Sequence, residues 1–127
     1  MGRLALDSDC LIAVFKVNDK HHEIIVNRLL HSTERIVIST IALSESLVHS
    51  YRAGLGEVGK KQIQDLAIEI IDVDQEIATF AAELRGTKNL KLGDALISAT
   101  TILHKCTLVT FDQKLAKATP GAELLTS

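Results

Sequence analysis

Four acids stand at the ends of apolar runs in this sequence. Asp7 ends the first run, Glu45 follows the second, Asp94 opens a late apolar helix, and Asp112 ends the run after it. Carboxylates gathered in one place without enough Lys or Arg to neutralise them repel one another, and a divalent cation relieves that repulsion. Phosphodiester hydrolysis suits such a set. Hard oxygen ligands hold Mg²⁺ or Mn²⁺, which activates a water and stabilises charge on the attacking and leaving oxygens, so no side-chain nucleophile is needed. Ser8 and Thr110 put hydroxyls near Asp7 and Asp112 as supporting residues, and Asp9 adds a further carboxylate to the first segment.

The acids meet only if the elements between them alternate as strands and helices. In a parallel sheet every strand points the same way and each connecting helix runs back, so strand C-termini and helix N-termini share one edge. Arg3 to Asp7 reads as a buried strand, and LIAVFK as a short helix leading to an Asn18-Asp19 turn. His22 to Leu30 carries a helical apolar stripe, Ile36 to Ser39 is a second strand, and a helix follows from Ile41 to Arg52. Gly54, Gly56 and Gly59 read as a break, with the next helix from Lys60 to Ile68 and a third strand from Ile70 to Val73. Asp74 caps a helix carrying Ile77, Phe80, Ala81 and Leu84, which runs toward Gly86. Ala95 to Leu103 is so apolar that it must be covered on several sides, and Thr107 to Phe111 is a fourth strand. Gln113 to Ala118 and Glu123 to Leu125 close the chain as a short helix and an edge strand.

A ten-residue helix advances about 15 Å and five strand residues return about 16 Å, which brings Asp94 and Asp112 to one level. Asp7, Asp94 and Asp112 each also occupy positions where Asp ordinarily caps a helix. Glu45 lies one turn inside its apolar helix and has no capping role. As a set, the four acids are read as a metal-dependent site.

Composition narrows the setting. The chain has 127 residues, which suits a single domain over 1–127 with one core. Its 46% hydrophobic content with 3% aromatic residues and no Trp calls for Ile, Leu, Val and Ala packing, the palette of a helix-flanked parallel sheet. With 14 basic and 16 acidic residues the formal net charge is −2, so no broad positive field attracts a polyanion and any nucleic acid must be held locally. Cys10 and Cys106 show no disulfide or zinc spacing. No apolar stretch reaches membrane-spanning length, so a soluble, cytoplasmic protein is expected, without a membrane partner. The five histidines share no spacing with the acids and are left out of the site.

The segments LALDSDCLIA, STIALSESLVHSYRAG and LKLGDALISATTILHKCTLVTFDQKLA resemble the PIN-domain ribonucleases, most closely the VapC-type toxins of toxin-antitoxin pairs. The resemblance implies an α/β fold of three layers, α/β/α, around a central, mainly parallel sheet of four to five strands. It implies Mg²⁺- or Mn²⁺-dependent cleavage of single-stranded RNA, with Asp7, Glu45, Asp94 and Asp112 as the acids and metal ligands and Thr110 as the hydroxyl before the last. A small antitoxin partner and a homodimer follow from the same resemblance. Asp9 departs from it, standing where family members usually have Ser, Thr or Asn. The Asp7-x-Asp9 pair also resembles the haloacid-dehalogenase phosphatases, with Ser39 as a strand-end hydroxyl, although Glu45 then has no role and Cys10 replaces their usual Thr or Val. A catalytically silent PIN-like module that binds RNA or protein is a third reading. Which RNA is cut is left open between transfer RNA, a ribosomal loop and messenger RNA.

Overall fold

The computed structural model describes residues 2–126; Met1 and Ser127, the two ends of the expected domain, lie outside them. The described residues form five strands, β1 (Arg3–Leu6), β2 (Arg35–Ser39), β3 (Glu69–Ile71), β4 (Thr107–Thr110) and β5 (Glu123–Leu124). Seven helices lie among them: α1 (Ser8–Phe15), α2 (His22–Leu30), α3 (Thr40–Arg52), α4 (Gly56–Asp65), α5 (Gln75–Lys88), α6 (Leu92–Leu103) and α7 (Gln113–Ala118). The strands make one sheet in the order β3-β2-β1-β4-β5, and every pairing is parallel.

That order has a functional consequence. The chain steps outward from β1 through β2 to β3 and then crosses back to β4, so the topological reversal falls between β1 and β4. Outside the C-terminal ends of two such strands the connections part to opposite faces and leave a crevice. Right-handed crossovers put α1 to α4 on one face and α5 to α7 on the other. The packing agrees: α1 lies on α2 and α3, α3 on α4, α5 on α6, and α6 on α7. Covered on both sides, the central strands carry apolar residues on both faces. Leu4, Leu6, Ile38, Leu108 and Val109 are buried, and Ile25, Ile77 and Leu115 reach them from the helices.

Several boundaries differ from the sequence reading, each for a local reason. The first strand stops at Leu6, because the Asp7 carboxylate accepts the backbone N–H of Cys10 at 2.8 Å and starts α1 at once. The Gly56 and Gly59 segment is the start of α4, not a break. A Cβ at Gly56 would lie 2.1 Å from Cε1 of Tyr51, and one at Gly59 would lie 2.5 Å from Oγ of Ser50. These glycines let α4 press onto α3, which explains why α4 runs from Gly56 to Asp65 rather than from Lys60 to Ile68. The third strand is Glu69–Ile71, one residue earlier and shorter than Ile70 to Val73. α5 continues through Gly86 and stops at Asn89, whose φ of 51° is left-handed. No described helix is long and apolar enough to cross a membrane.

Candidate active site

Asp7 follows β1, Asp112 follows β4, and these are the two strands that flank the reversal. α6 and α3 begin at the same edge and bring Asp94 and Glu45 there. The four side chains, with Ser8, Asp9 and Lys91, line one cleft of about 220 Å³. Every site residue expected from the sequence except Thr110 is therefore on its wall, and Thr110 lies directly beneath it.

Asp7 is the most constrained member. It is 5% exposed, and its two oxygens are divided between two jobs. Oδ1 accepts the Cys10 N–H, while Oδ2 accepts the Thr110 hydroxyl at 2.5 Å. Thr110 Oγ1 in turn accepts the backbone N–H of Asp112 at 3.0 Å, so a single buried hydroxyl ties the ends of β1 and β4 together. Burial pushes the Asp7 carboxyl above its ordinary value; the Thr110 and Cys10 hydrogen bonds oppose that, and the charge of Asp9 adds to it.

Asp112 caps α7, accepting the Leu115 N–H at 3.0 Å, and is itself exposed. Asp94 does not cap its helix, contrary to the sequence reading in which it opens one. Lys91 holds the N-cap position, without a side-chain capping bond, and Asp94 sits in the first turn of α6. Its carboxylate is thus not committed to a capping bond. Its pKa is raised, first by partial burial and then by the charges of Asp112, Asp7 and Glu45, with Lys91 pulling the other way. The three acids that act on Asp94 are the other members of the set.

Glu45 is exposed on α3 and accepts a hydrogen bond from Ser8 Oγ. Its other oxygen is held beside the start of α6, where a Cβ at Gly93 would come within 3.0 Å of Oε2. Asp9 is exposed in the first turn of α1 and makes no cap. Lys91 was missed by the sequence reading. It is the one cationic side chain on the cleft wall, and the signal was its place three residues before Asp94 in LKLGD.

The donor set is carboxylate oxygen throughout, which fits a hard divalent cation and not zinc of the Cys/His kind. Among the described residues no three His, Cys, Asp or Glu side chains are drawn into a ready-made cage. Ser8 and Thr110 occupy one oxygen each of Glu45 and Asp7. The fit therefore rests on the chemistry of the donors and their common cleft.

No curated protein matches the chain in a sequence search. Solved structures match along nearly its whole length. A toxin-antitoxin complex from Klebsiella pneumoniae is 27% identical with a TM-score of 0.78, over 94% of this chain and 95% of that one. VapBC2 from Rickettsia felis, bound to a DNA fragment from its promoter, is 22% identical with a TM-score of 0.74, over 97% of each chain. A Mycobacterium tuberculosis VapC toxin that cleaves the sarcin-ricin loop is 12% identical with a TM-score of 0.77, over 91% of this chain and 94% of that one. At the two lower identities the likeness establishes the fold. The model of the PIN domain matches residues 4–119, from the first strand to the residue after the last helix, and so spans all four acids. By that match, and by the parallel sheet that carries it, this chain belongs to the PIN-domain family.

Proposed function

We propose that the chain is a metal-dependent endoribonuclease and the toxin of a toxin-antitoxin pair. The observation that carries this reading is the convergence of Asp7, Glu45, Asp94 and Asp112 on one cleft at the β1/β4 reversal, where partial burial first and then the charges of the other three raise the pKa of Asp94. Asp7, Asp94 and Asp112, with Glu45 directly or through water, would hold Mg²⁺ or Mn²⁺. When bound, the ion supplies an activated water and stabilises charge on the phosphoryl and leaving oxygens.

The chain's own residues do the rest. Thr110 fixes Asp7 Oδ2 and the Asp112 backbone in one geometry, and Ser8 orients Glu45. Lys91 offers an ammonium to a phosphate oxygen of the RNA, an attraction that the acids alone would oppose. Asp9 deepens the negative field and tunes Asp7 without capping its helix. The phosphatase alternative loses support from this geometry. Asp7 is buried and hydrogen-bonded through both oxygens, a poor state for a nucleophile, and Glu45 lies on the cleft that the phosphatase reading leaves without use for it.

An antitoxin partner belongs to the same reading. A second groove of about 270 Å³ runs between α1, α3 and α4, with Ile12, Phe15, Val58 and Ile63 on its walls. It suits an apolar segment of a small partner, and an Arg on that segment would pair with the carboxylates of the cleft and displace the metal. The Klebsiella pneumoniae relative is a toxin-antitoxin complex, which supports this assignment. A cytoplasmic RNA substrate and a homodimer complete the proposal.

The test is expression in a bacterial host. Wild type should slow growth, Asp7→Asn should not, and co-expression of a neighbouring small gene should restore growth by forming a complex. Equal toxicity of wild type and Asp7→Asn would place any harm outside this cleft.

A further inference from the structure

Asp112 lines the acidic cleft, while its two chain neighbours, Phe111 and Gln113, line a separate pocket of about 390 Å³. The rest of that pocket is His21, Leu124, Leu125 and Thr126. Because β5 is parallel to β4, Leu124 and the residues after it lie at the same sheet edge as the acids. Pocket and cleft are therefore one residue apart along the chain.

No Asp, Glu, Lys or Arg lines the pocket, which is half polar in character. His21 stacks on Phe111 with ring centroids 3.8 Å apart and planes within 16°. The imidazole is held there by its backbone: its N–H donates to Asp19 Oδ1 at 2.9 Å. His21 Nδ1 is nonetheless buried without a hydrogen-bond partner, and it is the only such side-chain atom among the described residues. An aliphatic side chain would fill a merely structural position here without leaving that atom unpaired. A flat aromatic pair, apolar Leu walls, and an amide and a hydroxyl at the mouth match a nucleobase, which has apolar faces and a hydrogen-bonding edge. Exposed Lys20 and Lys114 are the chain neighbours of His21 and Gln113, and neither takes part in an ion pair among the described residues. They offer charge to the flanking phosphates.

We infer that this pocket holds a nucleobase next to the phosphate that sits at the acids. The inference rests on the nuclease reading and gives it a specificity-determining subsite. The His21 and Phe111 pair supplies a stacking surface that tolerates any base, and Gln113 presents both a donor and an acceptor to the base edge. The chain's preference at that nucleotide thus comes from Gln113.

The experiment measures binding of a short, labelled single-stranded RNA to the full chain carrying Asp94→Asn, with one abasic position walked along the RNA. Removing one particular base should weaken binding roughly tenfold, the scale of one base-aromatic stack. Adding His21→Ala or Gln113→Ala should weaken intact RNA and shrink that position's penalty, because the base then loses part of its stack in the first variant and its edge contacts in the second. If the penalty is undiminished in both, or intact RNA binds both as before, the subsite is wrong and the nuclease reading stands. If Asp94→Asn binds no RNA and wild type cuts none, both fall. Gln113 is exposed at the start of α7, so Gln113→Ala decides the matter alone if His21→Ala fails to fold.

Discussion

Thr110 donates its hydroxyl hydrogen to Asp7 Oδ2 while accepting the backbone N–H of Asp112, so one buried side chain positions two of the acids. The hydroxyl bond is also one of the influences that lower the Asp7 pKa against the rise caused by burial. Thr110→Val removes the bond at nearly constant volume and leaves a buried carboxylate and a backbone N–H short of partners. A loss of about 1–3 kcal/mol in stability is expected by denaturant titration. The acid limb of the pH-rate profile should move to higher pH, and Thr110→Ser should restore both. An unmoved profile would make Thr110 purely structural.

The pH dependence has an unusual sign. Asp7 and Asp94 have folded-state pKa values above the ordinary 3.8, so between 3.8 and those values the native state binds more protons than the unfolded state. Their contribution therefore favours the native state at low pH and is lost as pH rises through the folded values. Asp94→Asn should raise the melting temperature at neutral pH, and its advantage over wild type should shrink on acidification toward pH 4. A variant less stable than wild type at neutral pH would contradict the charge repulsion on which the site is argued.

Metal should reverse that repulsion. Mg²⁺ or Mn²⁺ at about 100 times its Kd is expected to stabilise wild type by about 2.7 kcal/mol through mass action. The shift should grow with pH, because the ligands must be deprotonated, and should nearly vanish in Asp7→Asn. Thermal scans over a pH and metal series read both effects. A metal shift of the same size in Asp7→Asn would place the ion elsewhere.

Gly93 offers a finer probe. A helical Gly→Ala change is ordinarily stabilising by about 0.5–1 kcal/mol, yet here the new Cβ would press within 3.0 Å of Glu45 Oε2. Gly93→Ala is expected to lose activity while keeping or raising its melting temperature. Glu45→Gln should show a comparable loss without the stability gain. Undiminished cleavage by Gly93→Ala would show that Glu45 acts with wide tolerance in position.

The fold was legible because its strands are continuous apolar runs and its acids fall at their ends; Asp7 and Asp112 stand where the runs stop, and both cap the next helix. The helix starts were harder to read. Gly56 and Gly59 mimic a break in sequence, whereas their lack of a Cβ serves the close approach of α4 to Tyr51 and Ser50. Asp94 looked like a cap because capping is the ordinary role of Asp; Lys91, a poor capping residue, takes that position and leaves the carboxylate to the cleft. The contact between His21 and Phe111 joins residues far apart in sequence, so neither periodicity nor spacing carried any sign of it. The Thr110 bond to Asp7 is equally non-local, although the hydroxyl two residues before Asp112 did mark the position.

The most direct measurement is cleavage of single-stranded RNA by the purified chain with Mn²⁺ or Mg²⁺, with EDTA, and with metal restored, beside Asp94→Asn under the same conditions. EDTA should stop cleavage and restored metal should recover it, and Asp94→Asn should lose roughly a hundredfold or more, the scale of removing one group that stabilises the transition state, with its fold retained. Cleavage that survives EDTA, or an Asp94→Asn variant as active as wild type, would contradict it.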